Sequence, residues 1–436
     1  MSIFIWGSGQ FFLCKQRLKG ILLFAIQLII IAIEIFTGYW PEYFAGQIEH
    51  FNFRLYGGYF THGIWGLVTL GQYKGAGNDH STVLMLNGII CCIVIFFILV
   101  FYICNIVDAF NQARIYRRTK KKTSSKEYAK QLYREIFPYI FLTPALLMVI
   151  FIVIMPIIFS VLTAFTNYNR NHMPPGNLVD WVGIENFKNL LHSPIWSSTF
   201  FGVFKWTIIW AVVATTTTYF LGMFQAILLN HPSVRFKSLY RGIMILPWAI
   251  PQMISLMVFK NLLNGQFGPV SALLVKIGVT KERVMFLSDP ALAKFTIIMV
   301  NLWLGFPIFM IMIQGVLSNI NNELYEAAAI DGATSWQKFY KITFPLVFRA
   351  TSPLVVMTFA SNFNGFGSVF FLTEGGPANP DYNFAGSTDI LISWIYQLTL
   401  EHKMYNMAAV MCIMLFILIG GISLWNFKRT SAFKEV

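Results

Sequence analysis

Charge is scarce in this chain of 436 residues: only 12% of them are charged, whereas 56% are hydrophobic. The mean hydropathy is +0.61. About a quarter of the residues of a soluble protein are charged, so this composition excludes an ordinary soluble protein. The formal net charge is +13. The cations lie in short segments beside apolar runs, where the positive-inside rule explains them without a nucleic-acid partner. We therefore interpret the chain as an integral membrane protein that binds no nucleic acid.

Motifs for catalysis and for metal binding are also absent from the sequence. No Gly-Lys dipeptide occurs, which excludes a Walker-type nucleotide site. Neither HExxH, GxSxG nor a paired-carboxylate signature is present, and the five cysteines have no zinc-like spacing. The lone histidines His172 and His192 are expected to be surface residues. We therefore expect no catalytic residue, no metal site and no cofactor in this chain.

Eight apolar stretches approach the length of about 20 residues that a helix needs to cross a membrane. They are expected to be transmembrane helices at residues 18–36, 83–107, 136–165, 200–229, 242–263, 292–317, 350–372 and 404–427. The fold class is therefore an all-α polytopic membrane protein. Most lysines and arginines fall inside the cell if both termini are cytoplasmic.

A basic run at residues 117–130 divides the chain. It separates residues 1–135, two helices with a basic cytoplasmic linker, from residues 136–436. We interpret the run as a topology anchor beside anionic membrane lipid.

A polar, helix-forming segment at residues 326–345 interrupts two of the apolar runs. Asn321 and Asn322 can cap a short helix, and Gly332 can take the left-handed conformation that ends one. Residues 334–337 are typical of a capping box that opens a second helix. The pattern predicts a helix-Gly-helix elbow on the cytoplasmic side, which we interpret as a socket for a partner protein.

Neutral polar and small residues recur at helical spacing within three of the apolar runs. Together with apolar residues on the same helix faces they give nine candidates for a binding pocket: Trp248, Gln252, Asn301, Leu304, Gly305, Ile308, Ser361, Asn362 and Gly365. The four from Asn301 to Ile308 share one helix face, and the pairs 248/252 and 361/365 are each one turn apart. Amides beside an aromatic ring suit a sugar, which offers hydroxyls and apolar faces. The alternative is that these residues only pack helices together, and we expect residues 215–218 to do so or to bond back to their own helix.

The elbow resembles the EAA loop of binding-protein-dependent ABC importers. The resemblance rests on Glu326-Ala327-Ala328, Gly332 and the segment 342–345, Ile-Thr-Phe-Pro, where the family pattern ends in Leu-Pro. The loop would span about residues 318–349. It implies coupling to an ATPase through Glu326, Ala327, Ala328, Asp331, Gly332 and Pro345.

From about residue 137 onward the chain is also similar to maltose/maltodextrin permease subunits of the MalF type. The matching segments are residues 239–251, 301–307, 362–377 and 386–389. The resemblance implies a MetI-like permease core in the C-terminal six helices. The implied partners are a second permease subunit of the MalG type, two ATPase subunits that bind ATP and Mg, and an extracytoplasmic sugar-binding protein.

In that family the sugar binds midway through the membrane, at the nine candidate positions. Asn301, Leu304, Gly305 and Asn362 keep the family's residue types, whereas the other five depart from them. We expect maltose or maltodextrin as the substrate, with another oligosaccharide of the raffinose type or a mixture of sugars as the alternative. A secondary carrier that works without ATP is the rival from another class. The large extracytoplasmic domain that some members insert after the third span is missing.

Overall fold

Helices form almost all of the regular structure. The computed structural model describes residues 2–13, 16–37, 58–72, 74–75, 79–119 and 125–429, of which 115–119, 125–132, 135–136 and 422–429 are described by their backbone alone. Within these ranges there is no β-strand, only isolated bridges from Thr166 to Trp181 and from Ala378 to Gly386. The predicted all-α fold is confirmed. The side chains of the basic run at 117–130 lie outside the described residues.

Two compact units divide the chain. The first comprises Met1–Asn186 with Met404–Val410. Its helices are a π-helical turn at Gly9–Leu13, α1 (Arg17–Thr37), α2 (Tyr59–Thr69), α3 (Ser81–Thr119), α4 (Ser125–Met148), a π-helical turn at Val149–Ile154 and α5 (Met155–Thr163). Glu34 on α1 accepts the backbone N–H of Phe60 at 2.8 Å and so stabilises the N-terminus of α2. An ion pair of 2.5 Å between Lys19 and Asp108 joins α1 to α3.

The remaining helices follow in chain order, and the second unit comprises Phe187–Lys403 with Met411–Val436. The helices are α6 (Glu185–His192), α7 (Pro194–Asn230), α8 (Lys237–Ala249), α9 (Gln252–Leu262), α10 (Pro269–Lys276), α11 (Pro290–Ser318), α12 (Glu323–Ile330), α13 (Ser335–Lys338), a π-helical turn at Phe339–Thr343, α14 (Phe344–Phe363), α15 (Phe366–Thr373), α16 (Leu391–Leu400) and α17 (Tyr405–Arg429). The boundary at residue 135, which the basic run predicts, stays a prediction.

Helix α7 is the central support of the second unit and packs against α11 and α14. Trp210 on α7 and Phe309 on α11 are fully buried. Gly222 lets α7 and α11 approach closely, because a Cβ at this position would lie 2.6 Å from Cβ of Phe309. Small residues serve this purpose in membrane helices, where close packing replaces the hydrophobic driving force.

Six helices are long and apolar enough to cross a membrane. They are Arg17–Thr37, Ser81–Arg114, Phe137–Thr163, Pro194–Asn230, Pro290–Ser318 and Ser335–Phe363. The pair α8 and α9, bent by 88°, makes a possible seventh span. The eighth predicted stretch is helical as well, but its described apolar part, Tyr405–Gly421, is shorter than the other spans. Within the described residues, length and composition therefore support six spans, or seven if the bent pair is counted as one, where the sequence predicts eight.

Candidate functional site

A cavity of about 670 Å³ lies in the second unit, and all nine predicted pocket residues line it. Eight of them lie on α8, α9, α11 and α14, and Gly365 lies in the break between α14 and α15. The volume falls within the range of small-molecule sites, about 300–1,000 Å³. Residues that are far apart in sequence therefore form one concave surface.

The break between α8 and α9 forms one wall of the cavity. The sequence places Trp248 and Gln252 one turn apart on a single helix, and this prediction is wrong. Helix α8 ends at Ala249, and α9 begins at Gln252 after the bend of 88°. Pro251 lacks the N–H that would continue the helix and disfavours helical backbone at Ile250, whose ψ is 134°. Both Trp248 and Gln252 nevertheless line the cavity.

The break between α14 and α15 forms a second wall. The predicted helical stretch at 350–372 is not continuous, because α14 ends at Phe363 and α15 begins at Phe366. Ser361 and Gly365 are therefore not one turn apart on one helix, since Gly365 lies in the break with a ψ of 69°. A Cβ at Gly365 would approach the carbonyl oxygen of Ser361 to 3.0 Å, which explains why a glycine fits here.

Helix α11 supplies the third wall and behaves as predicted. Asn301, Leu304, Gly305 and Ile308 all lie within continuous helix and all face the cavity. Gly305 also has a packing role, because a Cβ there would lie 2.9 Å from Cγ2 of Thr218 on α7. Gly305 therefore both lines the cavity and lets α11 pack closely against α7.

The polar groups of the cavity are neutral amides and hydroxyls. Gln252 Nε2 donates to Ser368 Oγ at 3.1 Å, and Asn362 Nδ2 donates to Thr215 Oγ1 at 3.0 Å. The Asn301 side chain, only 8% exposed, makes no hydrogen bond to any residue that the structure describes. No charged side chain of the described residues lines the cavity. Such a lining favours a neutral ligand with hydroxyl groups over an ionic one.

Several residues that line the cavity are not among the nine predicted from the sequence. Six of them are Thr218, Leu354, Met357, Thr358, Gly367 and Ser368. Three of these precede Ser361 on α14 at helical spacing, so extending the periodicity back from Ser361 would have found them. Gly367 and Ser368 lie beyond the helix break, and no local signal points to them.

A loop of the second unit, residues 374–390, is folded around the carboxylate of Asp389. Asp389 is 1% exposed and accepts hydrogen bonds from Ser393 Oγ at 2.6 Å and from the backbone N–H of Gly386 at 2.7 Å. Burial raises the pKa of this carboxyl to about 6, although hydrogen bonds from Ser393, from Gly386 and from Gln397 Nε2 at 3.4 Å act to lower it. Trp206 on α7 donates to the carbonyl of Thr388 at 3.1 Å and so fastens the loop to the central helix.

The predicted elbow is a helix-Gly-helix unit. Helix α12 ends in a Schellman motif, in which Gly332 N–H donates to Ala329 O at 3.1 Å and Ala333 N–H donates to Ala328 O at 2.9 Å. Gly332 has a φ of +76°, as the left-handed end of a helix requires. Thr334 and Gln337 form the predicted capping box of α13.

The remaining elbow predictions are met in part. The side chain of Asn321, not that of Asn322, caps α12, since Asn321 Oδ1 accepts Glu323 N–H at 3.0 Å. Pro345 carries the chain into α14 rather than ending a helix.

The surface of the elbow is apolar in places, and the described residues leave it exposed. No residue of α12 is buried. Ile330 is 87% exposed and Trp336 is 71% exposed. Exposed large hydrophobic side chains on a polar segment are typical of a protein-binding surface. Glu326, Ala327, Ala328 and Asp331 lie on or at the end of α12, so the coupling residues predicted there occupy one short helix.

Metal-binding geometry does not occur in the described residues, where no group of three or more His, Cys, Asp or Glu side chains could hold an ion.

Comparison with known proteins gives one family and several relatives. Residues 218–430 match the family described as binding-protein-dependent transport system inner membrane component. The galactooligosaccharides transport system permease protein GanP of Bacillus subtilis (strain 168) is 40% identical over 430 residues, which cover 98% of this chain and 96% of GanP. The maltodextrin transport system permease protein MdxF of the same organism is 39% identical over 378 residues, with coverages of 84% and 86%. The maltose/maltodextrin permease protein MalF of Yersinia pestis is 36% identical over 280 residues, 62% of this chain and 52% of MalF.

A solved structure has the same fold. It is the crystal structure of a bacterial ABC transporter involved in the import of the acidic polysaccharide alginate, with a TM-score of 0.55 and 23% sequence identity. The likeness covers 68% of this chain and 96% of that chain.

Proposed function

Because the chain belongs to the family of binding-protein-dependent transport system inner membrane components, we propose that it is the permease subunit of an ABC importer for a neutral oligosaccharide. The observation that carries this proposal is the cavity of about 670 Å³, in which residues from separate helices present amides, hydroxyls and one tryptophan. Trp248 is 58% exposed and supplies an apolar plate for a sugar ring. Alginate, the substrate named for the solved structure of this fold, is acidic, whereas this cavity has an uncharged lining.

Galactooligosaccharides are the first substrate that we propose. The relative GanP matches this chain almost from end to end. Five of the nine pocket positions, moreover, depart from the residue types of maltodextrin permeases. Maltose or maltodextrin, predicted from the sequence, remains the second candidate, favoured by the 39% identity to MdxF.

Transport is driven from outside this chain in our proposal. ATPase subunits grip the elbow of this chain and that of a second permease subunit, and ATP binding closes them. The elbows then move as rigid levers and shift the spans toward the outward-facing state, where sugar from an extracytoplasmic binding protein enters the cavity. ATP and Mg are bound by the ATPases, and this chain contributes no catalysis. The elbow and both termini lie in the cytoplasm of the cell, as the distribution of basic residues favours.

Uptake in cells that lack only this chain tests the substrate. Labelled galactooligosaccharides and labelled maltotriose are supplied separately, and each is competed with the other sugar in unlabelled form. We expect saturable uptake of galactooligosaccharides that returns with the chain, and weak competition by maltotriose. Uptake of maltotriose alone would favour the second substrate, and uptake of neither would contradict the oligosaccharide proposal.

Co-purification separates the importer from a secondary carrier. In the importer, an ATPase subunit purifies with this chain and is lost when Glu326 and Gly332 are replaced. A carrier would transport the sugar in liposomes with this chain alone.

A further inference from the structure

Asn362 is held at two points by the central helix α7. Its side-chain Nδ2 donates to Thr215 Oγ1 at 3.0 Å, and its backbone carbonyl accepts from Trp210 Nε1 at 3.0 Å. Both α7 residues are buried, with Thr215 at 3% and Trp210 at 0% exposure. The bond from Trp210 lies in the last turn of α14. The last carbonyl groups of a helix have no hydrogen-bond partners within that helix. Helix α7 therefore fixes the backbone and the side chain of Asn362 together.

The hydroxyl of Thr215 differs from those of its neighbours. Thr217 Oγ1 donates to Val213 O at 2.7 Å, and Thr218 Oγ1 donates to Ala214 O at 2.7 Å. Threonine in a helix commonly bonds back in this way. Thr215 instead accepts a hydrogen bond from another helix, 147 positions along the chain. It does not line the cavity, so any effect on a ligand must pass through Asn362.

The bond to Thr215 engages the donor group of the Asn362 side chain. An amide side chain has a donor group and an acceptor oxygen, and rotation about its last bond exchanges them. Nδ2 is engaged by Thr215, whereas Oδ1 has no hydrogen-bond partner among the described residues. Because both atoms belong to one planar amide, holding Nδ2 also fixes the direction of Oδ1. Asn362 lines the cavity, and Oδ1 is the atom of its amide that is left without a partner among the described residues.

We propose that Thr215 is a positioning residue of the cavity, which orients Asn362 so that Oδ1 accepts a hydrogen bond from a sugar hydroxyl. This inference rests on the proposed function, since it takes the cavity to be the sugar site. Its consequence for specificity is that the site requires a donor on the ligand. A sugar in which the contacting hydroxyl is replaced by fluorine keeps an acceptor but loses the donor, and it binds less well.

Two substitutions at Thr215 and one at a neighbour test the proposal. Thr215→Val keeps the shape but removes the hydroxyl, and we expect the KM for uptake to rise about tenfold, as for one lost hydrogen bond. The maximal rate is expected to change little. Thr215→Ser restores the hydroxyl and is expected to restore the KM. Thr217→Val is the matched control, because among the described residues the Thr217 hydroxyl bonds to carbonyls of its own helix alone.

A panel of singly fluorinated sugars gives a readout that a purely structural role would not move. In the wild-type protein, one fluorinated position is expected to raise the KM by about tenfold. In Thr215→Val the ratio of the KM for that fluorinated sugar to the KM for the parent sugar is expected to fall toward one. The reason is that the freed amide of Asn362 can turn its donor toward the fluorine. An unchanged ratio in Thr215→Val would overturn the proposal.

A double variant distinguishes failure of this inference from failure of the proposed site. Asn362→Ala alone should raise the KM, and adding Thr215→Val should have no further effect, since both remove the same contact. If the two effects multiply, Thr215 acts elsewhere and the inference is wrong while the sugar site stands. If Asn362→Ala leaves uptake unchanged, both the inference and the assignment of the cavity fail. Membrane abundance is measured for each variant, and Thr215→Ala replaces Thr215→Val should the latter fail to accumulate.

Discussion

The proposal that the elbow docks a partner predicts a difference between two glycines of the same geometry. Gly332, in the elbow, and Gly278, after α10, both end a helix in a Schellman motif, with φ values of +76° and +77°. A Cβ added at either position would meet no atom of the chain within 4 Å. Replacement by alanine therefore costs about 1–2 kcal/mol of left-handed backbone strain at both sites and no steric clash within the chain.

The assay compares Gly332→Ala with Gly278→Ala in the assembled transporter. We expect both variants to accumulate in the membrane and to lose a similar, small amount of thermal stability. Only Gly332→Ala should reduce sugar uptake and the ATPase stimulation that accompanies it. A reduction of about tenfold corresponds to a loss of roughly 1.4 kcal/mol of coupling where the new methyl group meets the docked subunit. Equal uptake by the two variants would refute the docking role of the elbow.

Three further predictions concern the cavity and the loop around Asp389. Asn301→Ala should raise the KM for uptake about tenfold without lowering stability, because its amide has no hydrogen-bond partner among the described residues to lose. Asn319→Ala, at the end of the same helix, is the control and should not alter uptake. Gly375→Ala should destabilise the loop by about 3 kcal/mol or more and expose it to proteases. The reason is that Gly375 has a φ of +81° and that the new Cβ would lie 2.2 Å from Asp389 Oδ1. Normal protease resistance of the variant would contradict this. Folding raises the pKa of Asp389 from 3.8 to about 6. The protonated carboxyl therefore stabilises the loop fully below pH 3.8, and this stabilisation is lost as the pH rises through about 6. Hydrogen exchange at the Gly386 amide, corrected for its intrinsic rate, should accordingly be slower below pH 6 than above it, and equal rates would refute the argument.

Local chemistry was enough to predict the elbow and the residues of α11 that share one face. The caps, the turn glycine and the capping box act within one or two helical turns, so their outcome depends little on the rest of the fold. Residues 301–308 lie on one continuous helix, where spacing alone determines which side chains share a face. The ATPase-coupling and sugar-binding roles of these residues stay predictions.

The helix breaks and the contacts that support the cavity residues could not be predicted from the sequence. A proline in a membrane helix can kink it or break it, and the choice depends on whether neighbouring groups satisfy the freed backbone. Pro251 breaks its helix, whereas Pro247 and Pro307 lie inside theirs. The bond from Asn362 to Thr215 depends on the packing of α14 against α7, which no local pattern specifies.

Accumulation of labelled oligosaccharide in proteoliposomes tests most directly whether this chain is part of an ATP-driven oligosaccharide importer. The chain is reconstituted with its second permease subunit, its ATPase and its sugar-binding protein, and accumulation is measured with and without ATP for the wild type and for Asn301→Ala. The account predicts accumulation that requires ATP and needs a higher sugar concentration in the variant. Accumulation by this chain alone without ATP, or transport indifferent to Asn301→Ala, would contradict it.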